Sequence, residues 1–466
     1  MNEFIRYVLW ELKNSLLLVF LAGIVVTGVL AVCSRVYNKR HGGQKKFPWG
    51  RAVLCLLFAG YLVVLIYATM LRGGGVFRRH WNLHLFRAWR EAWNNFSVKS
   101  WANVLLNVAL FGPLGFLLPL LGRKFRKGYL TVPVCFGVSL FIELVQLAVG
   151  RGVCDVDDLF CNALGGAMGY FAVMAVLAFS NEKGKRIKPV IAYACLALVP
   201  VLAIGSIFAA YGAGELGNLP MAPAYTQNTR DVKWTLNCEL PRETDTMAVY
   251  RTETLDNAAC DALAQELAAL TGQEVLMVSY YQEFAYYNLS RGILSVYYHD
   301  GSYEFSSGFS MKEDDWAETD RETLEKALEP FRIQIPEAAE FLAHGEGCYS
   351  FTCRQHNTGS GMVDGVLRCR YGADGTVPVI ENHMIFYTHY KNLTVISPEE
   401  AYARLRAGKF QDYGAFEYYS PGEISVTGCT LGYCVDTKGF YQPVYYFEVA
   451  AVNGNYSDRI MIPALE

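Results

Sequence analysis

Six apolar runs, at about 15–36, 52–71, 104–121, 130–149, 159–179 and 190–211, dictate what this chain can fold into. A membrane-spanning helix needs roughly 17–25 mainly apolar residues, and each run qualifies. Lipid offers no hydrogen-bond partner to a bare backbone, so such runs cross a bilayer as helices. The first run lacks a short apolar core followed by a small-residue cleavage site. It therefore reads as a retained helix and not a removed signal peptide.

Charge divides the 466 residues into two unlike halves. Residues 1–211 hold 23 Lys/Arg and 8 Asp/Glu, a balance of +15, and residues 212–466 hold 18 and 36, a balance of -18. A basic apolar half before an acidic, aromatic half reads as a transmembrane domain (1–211) joined to a soluble one (229–466). The Gly- and Pro-bearing stretch 212–228 reads as a linker. Basic loops stay cytoplasmic. The loops after the first, third and fifth runs carry Arg35, Lys39, Arg40, Lys45, Lys46 and Arg51, then Arg123, Lys124, Arg126 and Lys127, then Lys183, Lys185, Arg186 and Lys188. Placing these inside puts fourteen basic residues in and nine out, with the loop at 72–100 as the exception. The 150–158 hairpin and the C-terminal half then face outward, in a multi-pass membrane protein.

In the soluble half, helical patterns at about 255–271, 319–329 and 398–407 alternate with strand-like runs at 275–287, 292–298, 302–310, 379–390 and 441–452. Alternating Tyr, Phe, Val and Ile suit a half-buried pleated surface. His299-Asp300-Gly301 signals a hairpin, and Ser397-Pro398-Glu399-Glu400 signals a helix start. The expected fold is multi-domain: a polytopic bundle of about six helices, then an α+β domain with an antiparallel sheet, in one or two modules. Cys348/Cys353 and Cys429/Cys434 invite a metal reading, but no His/Cys arrangement around them has zinc spacing. Buried thiols or one or two disulfides are expected there; no cofactor, metal or nucleic-acid partner is.

Residues 140–170 carry Glu143, Gln146, Arg151, Asp155, Asp157, Asp158 and Asn162 between and within two apolar runs. Ionisable groups at membrane depth are costly and mark function by default. Glu143 and Gln146 share a helix face, as do Asp158 and Asn162. Glu143 lies roughly 10 Å below the helix end at Gly150. Asn107 on the third run is a further buried-type polar group. Asp155 suits an N-cap, and Asp157 and Asp158 suit the positive end of the helix dipole, so capping accounts for part of the acidity. Gln146 and Asn162 also suit interhelical hydrogen bonding, and Gly165, Gly166 and Gly169 suit close helix packing. Pro113 and Pro119 kink or end the third helix. Phe86, Trp89 and Trp93 form an aromatic stripe with basic flanks, the pattern of a helix in the membrane interface. Arg87 or Arg90 there is a candidate for holding a lipid phosphate.

These residues resemble the VanZ-like family of bacterial membrane proteins over roughly residues 15–180. The matching pattern is Asn107-x5-Pro113-x-Gly115, Glu143-x2-Gln146, and Arg151-x3-Asp155-x-Asp157-Asp158-x3-Asn162-x2-Gly165-Gly166. Trp81 to Arg87 is similar to the family's Asn-Leu-x-Pro-Phe segment, with Leu85 where Pro is usual. The resemblance implies a Gram-positive cell-envelope context and low-level resistance to teicoplanin-type glycopeptide antibiotics. The stretches 397–401, 439–447 and 460–465 are similar to YycH/YycI-like regulatory domains. Three readings follow. The leading one is a non-enzymatic envelope protein that binds membrane lipid, a wall precursor or lipid carrier, or an envelope or sensor protein through the outward polar pocket. The second is a membrane enzyme acting on a lipid-linked phosphate, with Glu143 and Asp158 as acid/base or metal ligands. The third is a sensor or regulatory subunit with a ligand-binding ectodomain.

Overall fold

The computed structural model describes residues 28–29, 32, 34–37, 39, 48–71, 81–150, 154–182, 187–281, 283–308, 316–331, 333–411, 422–451 and 457–465. Two compact units divide the chain, Met1–Gly214 and Glu215–Glu466.

The first unit is helical. Its helices are α1 (Trp49–Ile66, running on into a π-helical turn at Tyr67–Leu71), the short α2 (Arg87–Asn95), α3 (Val98–Leu121), α4 (Gly128–Val149), α5 (Val156–Glu182) and α6 (Ile187–Ala213). A 3-10 turn at Arg123–Arg126 joins α3 to α4, and two-residue strands β1 (Trp81–Asn82) and β2 (Cys154–Asp155) pair in parallel. Five helices, all but α2, are long and apolar enough to cross a membrane. They coincide with five of the six apolar runs; the first run, at 15–36, lies almost entirely outside the described residues. Ser97 starts α3 by accepting the Ser100 N–H at 3.2 Å. Helix α3 then continues through both Pro113 and Pro119 to Leu121 without ending at either. Neighbouring helices make this tolerable in a membrane bundle.

Helices α3 and α5 pack almost backbone to backbone. A Cβ added to Gly165 would sit 1.8 Å from the Val108 carbonyl oxygen, one on Gly169 would sit 1.9 Å from that of Gly112, and one on Gly115 would sit 1.8 Å from that of Gly166. Gly166 also abuts Cys135 of α4, where a Cβ would lie 2.6 Å from the Cys135 Cβ. Small residues permit such approach where lipid supplies no hydrophobic drive between helices. Phe111, Leu114 and Leu118 of α3 fill the centre with Cys135 and Ile142 of α4 and Leu65 of α1. Outward-facing Leu57, Phe141, Val176 and Leu202 stay exposed, as lipid-facing residues do.

The second unit is α+β. Strands β3 (Lys233–Leu236), β4 (Asp245–Arg251), β5 (Val275–Tyr280), β6 (Phe284–Leu289), β7 (Ile293–Tyr297) and β8 (Tyr303–Ser306) come first. Then follow β9 (Glu340–Gly345), β10 (Cys348–Asn357), β11 (Gly361–Arg370), β12 (Val379–Val395), β13 (Glu423–Val435), β14 (Phe440–Ala451) and β15 (Ser457–Pro463). All thirteen join one sheet with the path β3-β13-β14-β4-β12-β8-β7-β6-β5. Every pairing in it is antiparallel except β13 with β3. The 17-residue β12 unites two halves by pairing β11 and β8 along its first part and β4 along its last. Helices α7 (Asn257–Leu270) and α8 (Arg321–Leu328) cover one core, built on Leu294, Val296, Phe305, Phe351, Leu367 and Ile380. Helix α9 (Pro398–Arg406) covers the other, on Val395, Phe410, Ile424, Phe447 and Ile462.

All three expected helices are present, and Ser397 caps α9 with Pro398 at its first turn. The run at 275–287 is two strands joined by a turn, not one. His299-Asp300-Gly301 lies in the β7–β8 hairpin, with Gly301 at φ 70°. Cys348, Cys353, Cys429 and Cys434 are free thiols, so no disulfide forms among them. Residues 212–228 split between the units. From Glu215 onward the segment is fixed to the sheet domain: Asp436 accepts the Gly217 N–H at 2.6 Å, Gln442 donates to the Gly217 carbonyl at 3.0 Å, and Gln227 N–H reaches the Gly408 carbonyl at 2.9 Å.

Candidate functional site

A cluster of polar side chains forms where α4 and α5 meet the β1–β2 pair, at the end of α4 away from the basic 3-10 turn. Gly150 stops α4 in the left-handed conformation (φ 71°) and turns the chain back toward α5. The register Trp81↔Cys154 and Asn82↔Asp155 then ties the segment before α2 to the acidic turn before α5.

Glu143 is 3% exposed, and its Oε2 accepts one hydrogen bond, from the Asp155 N–H at 3.2 Å. Asp158 and Asp155 lie within Coulombic range of it, and no basic side chain pairs with any of the three among the described residues. Asn107 of α3 donates to Asp158 Oδ1. One helical turn further in, Asn162 donates to Ser139 Oγ at 2.8 Å, while its own Oδ1 is buried without a partner. Ser139 and Glu143 on α4 thus face Asn162 and Asp158 on α5, two i,i+4 pairs across one seam.

The other polar residues have distinct tasks. Asp155 accepts from Asn82 Nδ2 at 2.9 Å and from the Asp157 N–H at 2.8 Å, the second being a cap on α5. Asp157, fully buried, does not serve its own helix. Its carboxylate accepts the Phe86 N–H and, at 2.6 Å, the Ala88 N–H, so it caps α2 from across the bundle. Gln146 turns away from Glu143 and donates to the Thr69 carbonyl at 2.8 Å, a group in the π-helical turn after α1. Arg151 lies outside the described residues. Arg87 directs its Nε to Glu91 at 2.7 Å, and Arg90 is exposed. Gly165, Gly166 and Gly169 sit at the α3–α5 contact and outside the pocket.

Trp89 and Trp93 of the aromatic stripe pack against other helices, while Phe86 is exposed. Trp89 meets Trp101 edge-on at 6.3 Å, and Trp93 meets Tyr211 of α6 at 6.2 Å. The exposed apolar side chains are those just before the helix: Trp81, Leu83, Leu85 and Phe86. Sequence reading missed three participants. Ser139 was findable from its spacing of four from Glu143. Asn82 and Thr69 had no local signal, because a β-pair and a helix end from elsewhere deliver them.

The arrangement defines a class: a helical domain with five helices long and apolar enough to cross a membrane and a cluster of carboxylates and amides near one end of two of them. Residues 55–178, covering most of α1 through α5, match the VanZ/LLP1 family model, so this segment is VanZ-like; α6 and the sheet domain lie beyond the match. No curated protein matches the chain. Among solved structures, the Bacillus megaterium YpeB C-terminal domain aligns at 12% identity over 46% of this chain and 94% of that one, with a TM-score of 0.17.

Proposed function

We propose that this VanZ-type membrane protein works in the bacterial cell envelope by binding a lipid or wall precursor, or a membrane partner, through the pocket around Glu143. On this reading it contributes to teicoplanin-type glycopeptide resistance by altering the drug's encounter with its target. The observation that supports it is Glu143 itself: a carboxylate 3% exposed within a span, given one backbone N–H and no cation among the described residues. A structural role would be served as well by an amide, which costs less in hydrocarbon. The unpartnered Asn162 Oδ1 adds a free acceptor one turn deeper. Acceptors without donors suit a ligand rich in hydroxyl, amide or ammonium groups. Arg87 and Arg90, close in sequence to the Phe86–Ala88 backbone that Asp157 holds, are the groups assigned to a phosphate on the same ligand.

The test is Glu143→Gln, which can still accept the Asp155 N–H. At equal protein level in a host that depends on the protein, teicoplanin susceptibility should rise. Lipid mass spectrometry of protein purified in mild detergent should show a co-purifying species that the variant loses. Unchanged susceptibility and an unchanged lipid profile would defeat the reading.

A further inference from the structure

Along β6, β7, β8, β12, β11 and β10, the side opposite the core under α7 and α8 carries no helix among the described residues, and cross-strand register aligns its side chains. Ser350, Arg368, Glu381, Glu304, Ser295 and Tyr286 stand opposite one another on β10, β11, β12, β8, β7 and β6, so they form one rung on one face. The β6 end of this face is aromatic. Tyr281, Phe284, Tyr297 and His383 follow one another at ring-centre distances of 5.1, 5.5 and 5.6 Å. The β11 end is basic. Arg368, Arg370 and His344 line an open cleft of about 360 Å³.

The polar groups along the row are mostly satisfied by one another. Tyr297 donates to Glu304 at 3.1 Å, His383 meets Glu304 at 3.2 Å, His344 meets Ser350 at 2.8 Å, and Arg368 lies 3.5 Å from Glu381. Arg370 is the exception. Its guanidinium stacks on Trp316 at 4.8 Å and makes no ion pair among the described residues. A guanidinium fork held by an aromatic ring and lacking a carboxylate is preorganised for one.

We infer that this face binds a glycan chain carrying a carboxylate, with sugar rings over the Tyr281–Tyr297 row and the acid group on Arg370 and Arg368. Four observations select that occupant. Sugar rings present apolar C–H faces to aromatic rings and hydroxyls to the polar groups between them, the mixture this row offers. From β6 to β11 the face spans four strand spacings, about 19 Å, the scale of an oligosaccharide and not of a single small ion. The strands here are interior to the sheet, so a peptide cannot add as a strand and gains none of the main-chain bonds that usually carry its affinity. The half of the chain that holds the domain has a balance of -18, which repels a polyanion at long range, so a single carboxylate on a neutral chain fits better than a polyacid. The cleft itself is not a nucleophilic centre, because burial pushes the Cys369 thiol up to about 12. The inference stands apart from the Glu143 reading, since it uses no residue of the helical unit.

The test is calorimetric titration of the full chain in detergent with cellotetraonate, three sugar rings ending in an open-chain gluconate that carries one carboxylate. Cellotetraose and tetraglutamate serve as the comparison ligands. Cellotetraonate should bind saturably, and Arg370→Gln should weaken it by roughly tenfold, the loss of a charge-assisted bond. Arg370→Lys should recover only part of this, because the fork is lost. Phe284→Ala should weaken cellotetraonate and cellotetraose alike. Glu143→Gln should leave all three titrations unchanged. No binding of cellotetraonate, equal binding of cellotetraose with no response to Arg370→Gln, or tighter binding of tetraglutamate would each overturn the assignment.

Discussion

At the scale of single residues, the four carboxylates of the polar cluster separate by what donates to them. Asp155 and Asp157 have their oxygens occupied by fixed donors, one capping α5 and the other capping α2 from a neighbouring helix. Their charge is accounted for by helix ends, where unpaired N–H groups and the dipole favour an anion. Asp158 holds one amide, and Glu143 one backbone N–H. The difference predicts opposite phenotypes. Asp157→Ala should leave two N–H groups at the α2 terminus without acceptors and lower stability by about 2–4 kcal/mol. Asp157→Asn keeps one acceptor oxygen and should lose about half of that. Thermal denaturation in detergent measures both, and an alanine variant as stable as the wild type would remove Asp157 from its capping role. Glu143→Gln should melt with the wild type while changing ligand occupancy.

At the scale of elements, the α3–α5 contact is the bundle's tightest, because carbonyl oxygens of α3 occupy the space where Cβ atoms of α5 would stand. Backbone cannot yield as a side chain can, so Gly169→Leu should separate the two helices and abolish the folded bundle. Gly169→Ala should cost about 1–3 kcal/mol or more, the range of overpacking. Limited proteolysis in detergent reads both, and a leucine variant with wild-type resistance would contradict the packing. A second element-scale prediction concerns the clamp on the start of the sheet domain. Lys391 and Tyr390 hydrogen-bond Glu215 and hold its carboxyl below the usual carboxylate range. A depressed folded-state value stabilises above the unfolded value and is lost as pH falls through the folded one. Cleavage around residues 213–228 should therefore accelerate in acid, and Glu215→Gln should make it fast and pH-independent. Elements with strong periodicity were legible in the sequence: five apolar helices, α7 to α9, and the β7–β8 hairpin. The clustering of polar residues between α4 and α5 was legible too, since i,i+4 spacing fixes a shared face. What escaped was delivered by distant chain. Asn82 reaches the pocket through a two-residue β-pair, Thr69 through a π-turn, and Asp157 serves a helix about 70 residues away. Trp89 and Trp93 of the α2 stripe meet protein, a detail periodicity does not give, because it reports an apolar face without saying whether lipid or protein meets it.

At the scale of the whole molecule, two units with separate cores and opposite charge balance share one chain. Their cores involve no common residues, so denaturant should unfold them in two resolved transitions followed separately by helix signal and tyrosine fluorescence. Charge and connectivity within the helical unit predict an orientation that protease can test. Arg123, Lys124, Arg126 and Lys127 gather in the turn between α3 and α4, and in sequence Lys183, Lys185 and Arg186 fall between α5 and α6, with Lys188 at the start of α6. If the basic stretches at 123–127 and 183–188 stay cytoplasmic, α4 runs outward to Gly150, the polar cluster around Glu143 lies toward the outer side, and α6 runs outward into Glu215. This conclusion does not depend on the run at 15–36, because every helix it uses lies between α3 and the sheet domain. Protease added to intact cells should then remove most of residues 215–466 and leave a membrane-embedded fragment ending near Gly214. The bonds after the Lys and Arg residues at 123–127 and 183–188 should be cut by trypsin only after the cells are broken. Trypsin cleavage at the α3–α4 turn of intact cells, with the sheet domain spared, would invert the topology and place the pocket on the cytoplasmic side, where no wall-linked ligand could reach it.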